Sequence, residues 1–115
     1  MNIFDRTDGV LRILNVPFYD TMPEFADGEE PDLYIVYSVY DSPALRGDGR
    51  LEAVEYTVTI NIIGTNAAET DALQSKLIPL MEEYDYSYGG CNYEIDSDFP
   101  AAIRRITDFK TVIER

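Results

Sequence analysis

The sequence predicts a single α+β domain over residues 1–115. Its expected core is a four-stranded, mainly antiparallel sheet packed by an N-terminal helix and a central helix, in the order α-β-β-α-β-β. Three observations carry this expectation. Residues 31–65, PDLYIVYSVYDSPALRGDGRLEAVEYTVTINIIGT, hold two β-type runs around a polar stretch rich in Gly and Pro. Within that block, residues 53–63 alternate apolar and polar side chains, the period of a half-covered strand. A helical period over residues 67–84 then follows directly.

The N-terminal element spans residues 3–14, where Ile3, Phe4, Val10, Leu11 and Leu14 can line one side of a helix. Gly9 weakens it by about 1 kcal/mol relative to Ala. Pro17 ends it, because the residue before a proline avoids the helical region. Residues 17–32, PFYDTMPEFADGEEPD, are expected to form an acidic connector with three prolines and a turn at Asp27-Gly28. Its acids lack the alternating spacing around a central Gly that calcium loops use. Phe18, Tyr19, Met22 and Phe25 are expected to pin it to the body.

Leu33–Tyr40 is expected to be a strand with Leu33, Ile35, Tyr37 and Val39 on one face and Tyr34, Val36, Ser38 and Tyr40 on the other. Apolar or aromatic groups on both faces predict two covers, one being the N-terminal helix and the other a partner subunit. Residues 41–50, DSPALRGDGR, are expected to form a loop longer than the usual hairpin connection. Its Arg-Gly-Asp tripeptide is too short to carry meaning, and a turn on Gly47 and Gly49 accounts for it. The strand over 53–63 sets Val54, Tyr56, Val58, Ile60 and Ile62 against the core and leaves Glu55, Thr57, Thr59 and Asn61 wet.

Gly64 ends that strand, and Asn66 with Glu69 three residues later resembles a capping box. Leu73, Leu77, Leu80, Met81 and Tyr84 recur at helical spacing, with Pro79 inside the helix as a kink site. Asn92–Asp96 and Ile103–Ile113 are the closing strands. Ile103, Arg105, Thr107, Phe109, Thr111 and Ile113 share one face of the second, and Arg104, Ile106, Asp108, Lys110 and Val112 share the other.

Composition narrows function. The chain is 45 % hydrophobic and 27 % charged, the balance of a globular domain. Its formal charge of −13 argues against direct nucleic-acid binding and against anionic membranes, because phosphate recognition relies on clustered Lys and Arg. No stretch approaches the roughly 20 apolar residues of a membrane span, and the N-terminus lacks the regions of a signal peptide. With a single cysteine, Cys91, no intramolecular disulfide forms. With no His, Ser/His/Asp and Cys/His catalysis are excluded; Ser–Lys variants stay formally open, but neither Lys76 nor Lys110 sits in a Ser-x-x-Lys context. No phosphate-cradling glycine loop is present, and the many carboxylate pairs are expected of so acidic a surface. The reading is therefore of a protein that is not an enzyme and needs no cofactor or metal. Nine tyrosines and no tryptophan fit either a Tyr-rich core or an interface.

The order of elements resembles that of the small tail-completion or tail-terminator proteins of long-tailed bacteriophages and prophages. The resemblance lies in a helix leading to a Pro/Tyr connector (VPFYDTMPE), a strand of the type PDLYIVYSVY, and a hairpin stretch with RGDGR. The strand EYTVTINIIGT, the helix ETDALQSKLIPLMEEY and two closing strands complete it. It implies a structural role in head–tail joining: an oligomeric ring, often a hexamer, at the head-proximal end of the tail. The chain would be assembled in the host cytoplasm and reside in the virion tail. The implied partners are other copies of the chain, the tail-tube protein and neck or connector proteins. Ring contacts of that family involve sheet edges and long loops, which map here to Tyr34, Tyr40, Arg46, Asp48, Arg50, Thr57 and Thr59. The charge alone supports a different expectation, a small acidic α+β module that binds or inhibits another protein.

Overall fold

Asn2 opens the first helix, α1 (Ile3–Leu11), by accepting the Asp5 N–H on its side-chain oxygen at 2.8 Å. This satisfies one of the donors that a helix start leaves bare. A 3-10 turn over Arg12–Leu14 continues it, and Asn15 closes it in the left-handed region at φ 61°. Asn tolerates that conformation better than other side-chain-bearing residues. The computed structural model describes residues 2–26, 28–47, 50–96 and 102–114, with side chains described outside 42–52, 93–96, 102 and 114. The remaining elements are β1 (Phe18–Tyr19), β2 (Leu33–Gly47), β3 (Arg50–Gly64), α2 (Ala67–Glu83), β4 (Ser87–Asp96) and β5 (Ala102–Glu114).

The α+β class and both helices stand, but the expected four-stranded, mainly antiparallel sheet is overturned. The sheet is five-stranded and mixed, in the order β1-β2-β3-β5-β4. The added strand is β1, which pairs in parallel with β2 through Phe18 opposite Ile35 and Tyr19 opposite Val36. Two residues carry no periodicity, and the prolines around them mark a connector. Pro17 nevertheless suits the start of an edge strand: it has no donor to offer, and its carbonyl accepts the Ile35 N–H at 2.9 Å.

β2 and β3 also run further than the alternation implies. Each is 15 residues long, and their register continues to Gly47 opposite Arg50. The expected loop over residues 41–50 is therefore mostly strand, interrupted by a bulge between Ser42 and Leu45. Pro43 falls in that interval. A proline cannot donate to a strand ladder, so a bulge is where the ladder can accept one. Asp48 and Gly49 lie outside the described residues. The long hairpin helps make the molecule elongated, at 54 × 27 × 25 Å.

β5 is antiparallel to both β3 and β4 and lies between them. β3 and β4 thus run the same way, and α2 is the crossover that links them. Both helices lie on one face of the sheet. Ile3, Val10 and Leu11 of α1 and Leu73, Leu77 and Met81 of α2 join Ile35, Tyr37, Val58, Ile60, Ile62 and Phe109 in one core. Thr7 takes the buried place that the sequence pattern assigns to Phe4, which is exposed. Asn66 caps α2 as expected, accepting the Glu69 N–H at 3.1 Å. Among the described residues no helix is long and apolar enough to cross a membrane.

Pro79 is exposed within α2, and the helix runs past it to Glu83. Its ring and missing donor cost about 3 kcal/mol in a helix interior, partly offset by a stiffer unfolded chain. Pro79→Ala is therefore expected to stabilise the protein by about 1–3 kcal/mol, read as a rise in the urea midpoint. A fall in the midpoint would show that the proline shapes a packing that Ala cannot reproduce.

Candidate interaction surface

Placing Phe109 and Thr107 under the helices forces their β5 neighbours Ile106, Asp108, Lys110 and Val112 to the opposite face, because successive strand side chains alternate. The same rule sends Ser38 and Tyr40 of β2, and Glu55, Thr57, Thr59 and Asn61 of β3, to that face. Register then sets them in rows. Tyr40 stands opposite Thr57, which stands opposite Lys110; Ser38 stands opposite Thr59, which stands opposite Asp108. Thr59 donates to Asp108 Oδ1 at 2.7 Å across this face, and Asn61 Nδ2 donates to the Val36 carbonyl at 3.2 Å. Tyr40 is 65 % exposed and Val112 43 % exposed. No described helix packs on these rows, which form a polar, nearly charge-balanced sheet face with scattered apolar groups.

The residues expected at a subunit interface divide accordingly. Tyr40, Thr57 and Thr59 are brought together on the open face. Arg46 and Arg50 lie in the β2–β3 arm, opposite Leu51 and Gly47 in register. Asp48 lies outside the described residues. Tyr34 is placed elsewhere: it is 1 % exposed, covered by the chain's own connector. Tyr19 and Phe25 meet its ring edge-on at 6.2 and 5.3 Å, and its hydroxyl donates to Glu30 Oε1 at 2.7 Å. Burial and that carboxylate push the Tyr34 hydroxyl well above the ordinary tyrosine value. The second cover of β2 is thus, at this position, the connector, through Tyr19, Phe25 and Glu30, while its Met22 stays exposed and Asp27 of the expected turn lies outside the described residues.

Asp108 and Lys110 complete the open face and were absent from the expected set. β5 alternation already put them on a common face with Val112. What was missing was the adjacency of β3 and β5, which no local pattern encodes.

The helix-covered face holds the other polar chemistry. Gln74 Nε2 donates to Thr107 Oγ1 at 3.1 Å, while Arg105 donates to Thr70 Oγ1 at 3.1 Å and to Gln74 Oε1 at 3.2 Å. The Asp71 carboxylate lies 3.7 Å from the same guanidinium. Arg105 occupies the core side because its parity with Thr107 and Phe109 demands it, and α2 supplies acceptors to match. At the other end α1 is held by polar contacts. The Tyr37 hydroxyl donates to Asp8, the Thr7 and Tyr86 hydroxyls bond at 2.7 Å, and Arg6 lies 4.9 Å over the Tyr86 ring and donates to the Tyr84 carbonyl. Burial raises the Tyr37 and Tyr86 hydroxyls, helped at Tyr37 by Asp8. On β4 the exposed Tyr88 hydroxyl is raised first by its hydrogen bond with Cys91. Among the described residues no group of three Cys, Asp or Glu converges as metal ligands would. No protein-family model matches this chain, and no curated protein matches it.

Proposed function

We propose that this chain is a bacteriophage or prophage structural subunit that self-associates into a ring at the head-proximal end of the tail, completing the tail and joining it to the head. The observation that carries the reading is the open sheet face, continuous with the long β2–β3 arm and flanked by sheet edges. The sheet edges beside this face carry unpaired backbone groups that association can satisfy, and the uncovered face stays available to the other proteins of the tail. The element order that resembles tail-completion proteins supports the same role, and the partners it implies are the tail tube and neck proteins.

The charge makes the reading testable. Subunits of −13 repel one another, and salt shortens that repulsion to about 10 Å at 0.1 M. Self-association is therefore expected to tighten as sodium chloride rises from about 0.05 to 0.5 M, observed by light scattering and native mass spectrometry. Purified tail tubes are expected to bind the assembled form at one end, visible by electron microscopy. A chain that stays monomeric at every salt concentration and never decorates a tube end would overturn the proposal.

A further inference from the structure

Resting on the self-association proposed above, we infer that copies join through their sheets, with β4 of one subunit pairing antiparallel with the arm of β2 in the next. Both strands are open edges in the described structure. β4 is the terminal strand of the sheet. β2 is bordered by β1 at Ile35 and Val36 only. The Ile35 N–H points to that border, where it meets the Pro17 carbonyl. Strand alternation therefore turns the backbone polar groups of Val39 and Asp41 to the same side.

Strand direction selects the partner. β2 and β3 are antiparallel, as are β3 and β5, and β5 and β4. β4 therefore runs opposite to β2, so setting one subunit beside the next without turning it over brings the two edges together as an antiparallel pair. The helices of all copies then stay on one side, and the open faces with Thr57, Thr59, Asp108 and Lys110 line the other. Such a contact uses different patches on the two subunits, so it propagates and closes into a ring when the rotation permits.

The β4 edge lacks two of the usual protections of edge strands: its sequence, SYGGCNYEID, has no Lys or Pro. Its bulge lies early, between Tyr88 and Gly90, and its acids, Glu94 and Asp96, lie late, so the stretch around Cys91 and Asn92 carries neither. On β2, Pro43 interrupts the edge, leaving the stretch around Val39 and Asp41 as the accessible segment. A register with Cys91 beside Asp41 sets the middle of β4 beyond the residues that β1 occupies. Both side chains lie on the helix-covered face, since Cys91 is opposite Thr107 and Asp41 is opposite Tyr56. Within one subunit Cys91 is level with Tyr37, through Thr107 and Ile60. Each copy is thus offset along the strand from Tyr37 to Asp41, and strands in a closed ring are tilted, as in a barrel.

Cys91 is exposed and serves as the reporter. Asp41→Cys, also at an exposed position, is expected under mild oxidation of the assembled protein to give a ladder of disulfide-linked multimers. Tyr40→Cys, whose side chain lies on the other face, is expected to give none, because disulfide geometry requires closely facing Cβ atoms. Amide exchange across residues 87–96 is expected to slow by about tenfold or more on assembly. Dimers linked Cys91 to Cys91 as the end product, or β4 amides that exchange in the oligomer as fast as in the monomer, would overturn the inference. So would β4 protection that appears only when tail tubes are added. Because oligomer mass is read separately, an assembled protein without the ladder sinks this pairing alone, whereas a strict monomer sinks the ring reading itself.

Discussion

Replacing Phe109 with Ala is expected to lower the unfolding free energy by about 3–5 kcal/mol, from the lost transfer energy of the ring and the cavity left behind. Phe109 is fully buried at the centre of the sheet, opposite Val58 on one side and Tyr88 on the other, with the Tyr88 ring 6.0 Å away. It also belongs to the cluster in which both helices meet the sheet. Domains of this size have about 5–15 kcal/mol in all, so the variant is expected to be marginal at 25 °C. Urea titration checks this through a fall in midpoint at an unchanged slope. A loss below about 1 kcal/mol would mean that the helices do not close over β5 as described.

Above pH about 10, the ordinary tyrosine value, the protein is expected to lose stability steeply. Tyr34, Tyr37 and Tyr86 are each buried and bound through their hydroxyls, and burial raises all three above that value. The sign follows from proton counts. Below the ordinary value both folded and unfolded chains hold these protons, and the full stability is present. Above it the unfolded chain releases them while the folded chain keeps them, so unfolding becomes easier as pH rises. Each retained proton is worth at most about 1.4 kcal/mol per pH unit, giving up to about 4 kcal/mol per unit for the three together. Urea midpoints measured from pH 8 to 11.5 test this, and Tyr37→Phe is expected to reduce the slope by about one proton. A midpoint that stays flat across this range would show that these hydroxyls ionise freely in the folded state.

Much of the fold was legible because its signals are periodic. The alternation over residues 53–63 names the buried side chains of β3 correctly at Val58, Ile60 and Ile62. Asn66 and Glu69 mark the start of α2, and the Leu73, Leu77 and Met81 stripe is buried. What was not legible depends on partners far along the chain. β1 is too short to have a period and exists because β2 offers it an edge. The extension of β2 and β3 past Tyr40 runs through Ser, Pro and Gly, whose local preference is for turns, and cross-strand pairing overrides it. The candidate surface was half legible. Tyr40, Thr57 and Thr59 followed from alternation, whereas Asp108 and Lys110 needed the strand order. Tyr34, expected against a partner subunit, is covered instead by Tyr19 and Phe25, which come from a stretch with no regular pattern.

The position of β5 has a consequence for how the chain is made. Of the five strands of this sheet it is made after the other four, yet it sits inside the sheet, between β3 and β4. Until it arrives, β3 has one ladder unfilled, β4 has no neighbour, and α2 has no Thr107 or Phe109 to rest on. The earlier elements must wait on the ribosome with apolar surface bare, and their long-range pairings close late and slowly. A nascent chain stalled just before Ala102 would thus be a sticky intermediate and a natural client for a holding chaperone. Once β5 is available, it completes the sheet in a single insertion between β3 and β4.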